Sequence, residues 1–527
     1  MWGWRSSRTI VLGAAAATFA AGCLLPVVST LVTAVPGVAD AFVLDARQWR
    51  LLANTALLGT GAALLATAIG APLGLALARA ALPHAPILRL ALSAPVLLPP
   101  YVVALAWTYL ASRQGVLAAI LGPDQLAAWV FSLPCAIVVL GLVFYPLVML
   151  ATEVALRRVD GRLEEAALLV AAPRRVVWRI TMPLVAPSVL ASALMVFVLA
   201  VSEFGLPGVL RVRVYTTEVF TAFAAFYDPA RAARTAVPLL VLCAGVALVA
   251  MTLIGDRLIS ARRATPTPPA LLASRTGVIT VALAVVLTLS LALPLGVLGR
   301  EAIGSRSMTA ALASSADAML NSLRLATLGA SVIVGIAVWL GYARARVSGP
   351  VAVVMDVVLV VLFAVPSTLI GVGLIGVWNR RGPLGMLYGT EGMLLLASVA
   401  RLLPIAVLAM AAAVRTVPVS HEEAAAVSGA GWLRTLWQLV LPQVRVAIIA
   451  TWALVFVLAF GELGVSIVVA PPGETTLPIR IYTIIANTPA STVAVLALLQ
   501  STVILTPLVI FSGILAFSGI LARREAS

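Results

Sequence analysis

Glu422-Glu423-Ala424-Ala425-Ala426, followed by Gly429-Ala430-Gly431-Trp432 and closed by Leu441-Pro442, lies between two long apolar runs in a chain with few charges. The same pattern stands earlier, as Glu164-Glu165-Ala166-Ala167 through to Met182-Pro183. Each copy puts two carboxylates at the start of a helical stretch, where negative charge meets the positive end of the helix dipole. The Ala residues that follow keep the surface low, so another body can approach closely. Trp432, Leu433, Leu436 and Trp437 then recur at helical spacing as apolar knobs. The closing Pro is expected to end the segment and redirect the chain into the next apolar run. A polar helix repeated between apolar runs is a docking element at a membrane surface, and the rest of the sequence is read from it.

The chain has 527 residues, 62% of them hydrophobic and 10% charged, where a soluble globule carries about a quarter charged residues. The fold class is therefore an all-α membrane protein. Apolar segments lie at about 10–35, 51–78, 90–112, 129–151, 187–209 and 236–255, then at 276–298, 320–342, 351–377, 391–413, 446–469 and 493–520. That is about twelve transmembrane helices in two sets of six. Arg257 to Arg275, basic and Pro-rich, is a linker (257–275) between a first half, 1–256, and a second half, 276–527. The run at 10–35 is long enough for a first span, and is read as one in preference to a cleaved leader. All 35 basic residues are Arg. With the N-terminus inside, the inner loops hold 21 of them and the outer loops 12, which satisfies the positive-inside rule. Both termini and both polar loops, about 157–183 and 415–442, are then cytoplasmic. The net charge of +15 reflects this topology and not a nucleic-acid partner, because no basic arm or interleaved aromatic run accompanies it.

The halves are related. Asn54 and Asn321 are 267 residues apart, as are Pro99 and Pro366; Pro146 and Pro404 are 258 apart, as are Glu165 and Glu423; Glu203 and Glu462 are 259 apart. Near-constant offsets over some 200 residues describe two parallel six-helix repeats about an axis along the membrane normal. Pro99-Pro100 and Pro366 are expected to kink or break their spans.

The spacing of the second polar stretch, with Gly429 six residues beyond Glu423 and Pro442 nineteen beyond it, resembles the signature loop of binding-protein-dependent ABC importer permeases. The first copy departs from it: Pro183 is eighteen beyond Glu165, and Val170-Ala171-Ala172 stands where Gly is expected. The resemblance implies a type I importer fold and a coupling helix seated in a cleft of an ATPase subunit. It gives that role to Glu164, Glu165, Ala166, Ala167, Pro183, Glu422, Glu423, Ala424, Ala425, Gly429 and Pro442. It implies two ABC ATPase subunits on the cytoplasmic face, an extracytoplasmic substrate-binding protein, and a place in the bacterial inner membrane. No cofactor is bound directly; ATP is used on the partner. The fused two-half arrangement, Glu203-Phe204-Gly205 and Val214-Tyr215-Thr216-Thr217-Glu218-Val219-Phe220 resemble the ferric-iron permeases. Thiamine permeases come next, with spermidine and phosphonate permeases nearby. A twelve-helix secondary transporter is the rival class, but that class has no need of matching Glu-Ala-Ala loops.

Three in-span charges are candidates for the translocation path. Glu203 and Glu462, related by the repeat, stand where they could flank a central path and favour a cation. Arg401, near the middle of the tenth span, calls for a partner, either Glu462 or a substrate anion; the first half has Val143 there. Asp356 is expected to mark an interface. Catalysis is not expected. Without Lys there is no Walker ATPase motif, and three scattered Cys and two loop His make no metal site.

Overall fold

Inside lipid a segment must satisfy its own N–H and C=O groups, and the helix is the single-segment solution. The computed structural model describes residues 2–35, 45–80, 82, 84–111, 122–226, 228–254, 276–303 and 308–525, and among them every regular element is a helix. The linker expected at 257–275 lies outside the described residues. Ten described helices are long and apolar enough to cross a membrane, or twelve if each of two bent pairs is one span. The bent pairs fall at the expected prolines. Ala85–Leu97 and Pro100–Leu110 meet at 88° around Pro99, and Pro350–Ala364 and Ser367–Trp378 meet at 100° around Pro366.

The chain forms two compact units that are not its two sequence halves. One comprises 1–44, 218–244 and 315–480; the other comprises 45–217, 245–314 and 481–527. In the second of these, helix Ala46–Arg79 is the central member. A reciprocal cap starts it, Asp45 accepting from the Gln48 N–H while the Gln48 side chain accepts from the Asp45 N–H. It packs along Leu133–Leu156 and against Met182–Ser202. In the other unit, helix Ala316–Arg346 packs in the same way along Gly392–Arg415 and against Leu441–Gly461. The N-terminal helix Leu25–Ala34 lies against Ser367–Trp378. That contact needs Gly373, because a Cβ there would meet the Pro26 carbonyl and the Thr30 hydroxyl.

The spans that follow the polar loops begin earlier and end sooner than hydropathy suggests. The expected 187–209 is the helix Met182–Ser202, and 446–469 is Leu441–Gly461. The role expected of Pro183 and Pro442 is also corrected: neither ends a segment or redirects it. Each sits in the first turn of its long helix and is preceded by one π-helical turn, Val177–Thr181 or Leu436–Val440. There the Met182 N–H reaches back to the Val177 carbonyl, and the Leu441 N–H to that of Leu436. Widening the preceding turn accommodates the ring and its missing N–H, so the helix continues unbroken.

Candidate functional site

Both polar stretches fold to one plan. The first is a short helix Gly161–Leu168, a turn, and Pro173–Val176 leading into the π turn; the second is Val419–Val427, a turn, and Trp432–Thr435. The head of the first helix is capped by the Asp160 carboxylate, which accepts from the Arg162 N–H at 3.1 Å.

The paired glutamates divide their work. Glu164 is fully buried; the Arg79 Nε donates to its Oε2 at 2.9 Å and the Thr181 hydroxyl donates to its Oε1 at 2.8 Å. Arg79 also donates to the Leu156 carbonyl at 2.9 Å, so one guanidinium ties the ends of two long helices to the loop. In the second copy, the Arg346 Nε donates to Glu422 Oε1 at 2.8 Å and the Tyr342 hydroxyl donates to Oε2 at 2.7 Å. Trp432 is buried and donates to that hydroxyl at 3.3 Å. A buried carboxylate with two such donors is an anchor. Glu165 and Glu423, by contrast, are exposed, as are Ala166 and Ala424; Ala167 and Ala425 are half-buried, and Pro183 and Pro442 are exposed.

The apolar knobs divide likewise. Trp432 and Leu436 face inward, leaving Leu433 and Trp437 exposed alongside Val427, which is 90% exposed. On the first copy Leu163, Leu169, Val170 and Trp178 are exposed, Leu169 and Val170 at 86% each. A large apolar side chain left open beside a rigidly anchored helix is a surface made to be covered.

The two turns are built differently. Gly429 has φ +79° and closes the second helix, with the Ala430 N–H on the Ala425 carbonyl and the Gly429 N–H on Ala426, both at 3.0 Å. In the first copy no residue of the turn is left-handed, and the Ala171 N–H bonds the Ala167 carbonyl at 2.9 Å. The missing residue comes out of the helix, which has eight residues where the second has nine. From Pro173 and Trp432 onward the copies are in step.

Arg79 and Arg346 were not singled out from the sequence, although they are 267 residues apart, the offset that relates Asn54 to Asn321. One further charged position follows the same register with its sign exchanged. Arg89 donates to Glu153, which also takes Arg157, while at the position of Arg89 the other unit has Asp356, paired with Arg344 at 2.6 Å. Asp356 is thus one half of an ion pair within its unit.

Each in-span candidate meets partners within its own unit. Glu203 Oε1 accepts from the N–H groups of Gly205 and Leu206 at 3.0 and 3.3 Å, and Glu462 Oε1 from the Val465 N–H at 3.0 Å. Each stands just past the end of a long helix and caps the short helical segment that follows. Arg401 does not meet Glu462. Its Nη1 donates to the carbonyls of Phe363 and Val365 at 3.0 and 2.8 Å, the open C-terminal end of helix Pro350–Ala364. A guanidinium there answers the negative end of the helix dipole. Among the described residues no three His, Cys, Asp or Glu side chains gather where a metal ion could be held.

Residues 333–523 match the family model described as the inner membrane component of binding-protein-dependent transport systems. A putative ABC transporter permease from Streptomyces antibioticus is 36% identical over 192 residues, covering 82% of that protein and 35% of this chain. The molybdenum transport system permease ModB of Mycobacterium tuberculosis is 31% identical over 193 residues, 73% of its length and 34% of this chain. A putative 2-aminoethylphosphonate transport permease of Salmonella typhi matches over 100 residues at 31%, 34% of its length and 19% of this chain. With loops of this form on helices of this kind, and relatives matched over most of their length, the chain belongs to the ABC transporter permeases that form the inner-membrane component of binding-protein-dependent systems.

Proposed function

We propose that this chain supplies both halves of the membrane path of an ATP-driven importer for a small oxyanion. Cytoplasmic ATPase subunits dock on the two polar loops, and a binding protein delivers substrate from the opposite face. The observation that carries the reading is the divided glutamate pair. One carboxylate of each loop is locked to an Arg at the end of a long helix, and the other is exposed beside large apolar side chains. Force applied to the loop then reaches the helix through a short, fully bonded path. In this reading the two units are the two repeats, since helix 46–79 stands to 133–156 and 182–202 as 316–346 stands to 392–415 and 441–461. Relatives matched over most of their length cover about a third of this chain, which leaves room for a second such unit. Both termini are cytoplasmic, and ATP is hydrolysed on the partner.

The substrate class rests on charge. The carboxylates that suggested a cation are both engaged as caps, while Arg401 places a guanidinium within a span with only backbone carbonyls as acceptors among the described residues. Named relatives handle molybdenum, which neutral water carries as molybdate, and 2-aminoethylphosphonate, whose phosphonate group is anionic beside its ammonium, which favours this class over ferric iron. The test is co-expression with the cognate ATPase. Glu423→Lys, which reverses an exposed charge, and Gly429→Asp are expected to abolish co-purification of the ATPase and uptake while the permease still folds. Undiminished co-purification and uptake would sink the docking reading. Uptake of ferric iron in preference to molybdate would overturn the substrate class alone.

A further inference from the structure

Arg401 is the tenth residue of helix Gly392–Arg415, which puts its Cα about 14 Å along the axis, near the middle of a core about 30 Å thick. Its guanidinium lies over the Phe363 ring and uses only Nη1 on protein acceptors. Among the described residues, Nε and Nη2 have none. Three residues beyond Val365, whose carbonyl it holds, Thr368 is 1% exposed, and its hydroxyl makes no hydrogen bond. Thr368 lies in the first turn of helix Ser367–Trp378, where the dipole is positive; the Leu369 and Ile370 N–H groups bond the Pro366 carbonyl, and the Ser367 and Thr368 N–H groups stand ahead of that first bond. Ser367 is also buried and faces Gly464, close to the Glu462 carboxylate that caps Val465.

A buried hydroxyl and a half-used guanidinium are each costly to leave without acceptors. Here both flank one two-residue break, Val365-Pro366, together with a helix start. The unspent groups of Arg401 and Thr368 can all donate, and the one carboxylate near them, Glu462, already accepts from the Val465 N–H. A fully ionised oxyanion is the complement, because it only accepts.

Resting on the permease reading above, we propose that the Pro366 break, with Arg401 and Thr368 on its two sides, is a holding site for a tetrahedral oxyanion midway along the path. The site occurs once per chain, since Val143 stands at the position of Arg401 in the other repeat.

The test uses the full-length permease in phosphatidylcholine nanodiscs, with molybdate as the probe, sulfate as competitor and equilibrium dialysis as the readout. Arg401→Gln is expected to weaken molybdate binding at least tenfold, with partial recovery in Arg401→Lys. Thr368→Val is the decisive variant. It removes a hydroxyl that bonds nothing in the protein, so a merely structural role predicts equal or better thermal stability and unchanged binding. The holding site predicts equal or better stability and several-fold weaker binding. Wild-type affinity in Thr368→Val, or no molybdate binding by the wild type, overturns the proposal. Adding phosphatidylglycerol should leave molybdate affinity unchanged; loss of binding would assign the site to a lipid phosphate and overturn it as well. ATPase co-purification on the same samples separates the outcomes, because a permease that assembles but ignores these substitutions refutes the site and leaves the docking reading standing.

Discussion

Replacing Glu164 by Ala removes one side of an ion pair whose members are 0% and 2% exposed. Arg79 would then keep a buried charge with only backbone carbonyls to meet it, and the Thr181 hydroxyl would lose its acceptor. Breaking a buried pair in this way costs about 3–5 kcal/mol. The adjacent Glu165→Ala removes an exposed carboxylate one residue past the first turn of the same helix, where the dipole contributes about 1 kcal/mol at most. For a body of this size roughly 2 °C accompanies each kcal/mol, so the two neighbours should separate as about 6–10 °C against about 2 °C or less. Cys135, buried in helix Leu133–Leu156 of the same unit, supplies the signal. In a background with Cys23→Ala and Cys243→Ala, a thiol-reactive dye labels Cys135 only on unfolding, and the midpoint is read in detergent. Arg79→Met combined with Glu164→Leu removes both charges and should recover most of the loss. The reasoning fails if Glu164→Ala melts within 2 °C of wild type, or if the double replacement melts as low as the single one.

Gly429→Ala meets no atom within 4 Å, so its cost is the left-handed backbone alone, about 1–2 kcal/mol. A drop of about 2–4 °C in melting temperature is expected, with no gain from Val170→Gly in the first copy, whose turn uses no left-handed residue. Gly373→Ala drives a methyl into the Pro26 carbonyl and should part helix Leu25–Ala34 from Ser367–Trp378. Cys23, now buried three residues before Pro26, should then react with a thiol dye at least tenfold faster at native temperature, and an unchanged rate would count against that contact.

Much of the architecture was legible because lipid imposes one rule on every span. The long apolar runs and the prolines at 99 and 366 were enough to place the helices and the two breaks. The loops were legible through spacing. What spacing could not separate was the two members of Glu-Glu, since which carboxylate turns inward depends on Arg79 and Arg346, some 80 residues away in sequence. Their shared 267-residue offset was a usable signal. The π turns before Pro183 and Pro442 had no such signal, because a Pro after an apolar pair reads equally as a stop. Arg401 stood out as a charge needing partners, but a backbone end exposed by a neighbouring proline is not visible to a search for opposite charges.

The grouping of residues 1–44 with 315–480 sets an order on biosynthesis. Helix Leu25–Ala34 leaves the ribosome about 330 residues ahead of Ser367–Trp378, and at roughly 5–20 residues per second that is about 17–70 s of translation. Throughout that interval the first span stands in the bilayer without its mate. A gene divided between the halves would therefore yield two products, each holding pieces of both units, and only their simultaneous production in one membrane could return a working permease.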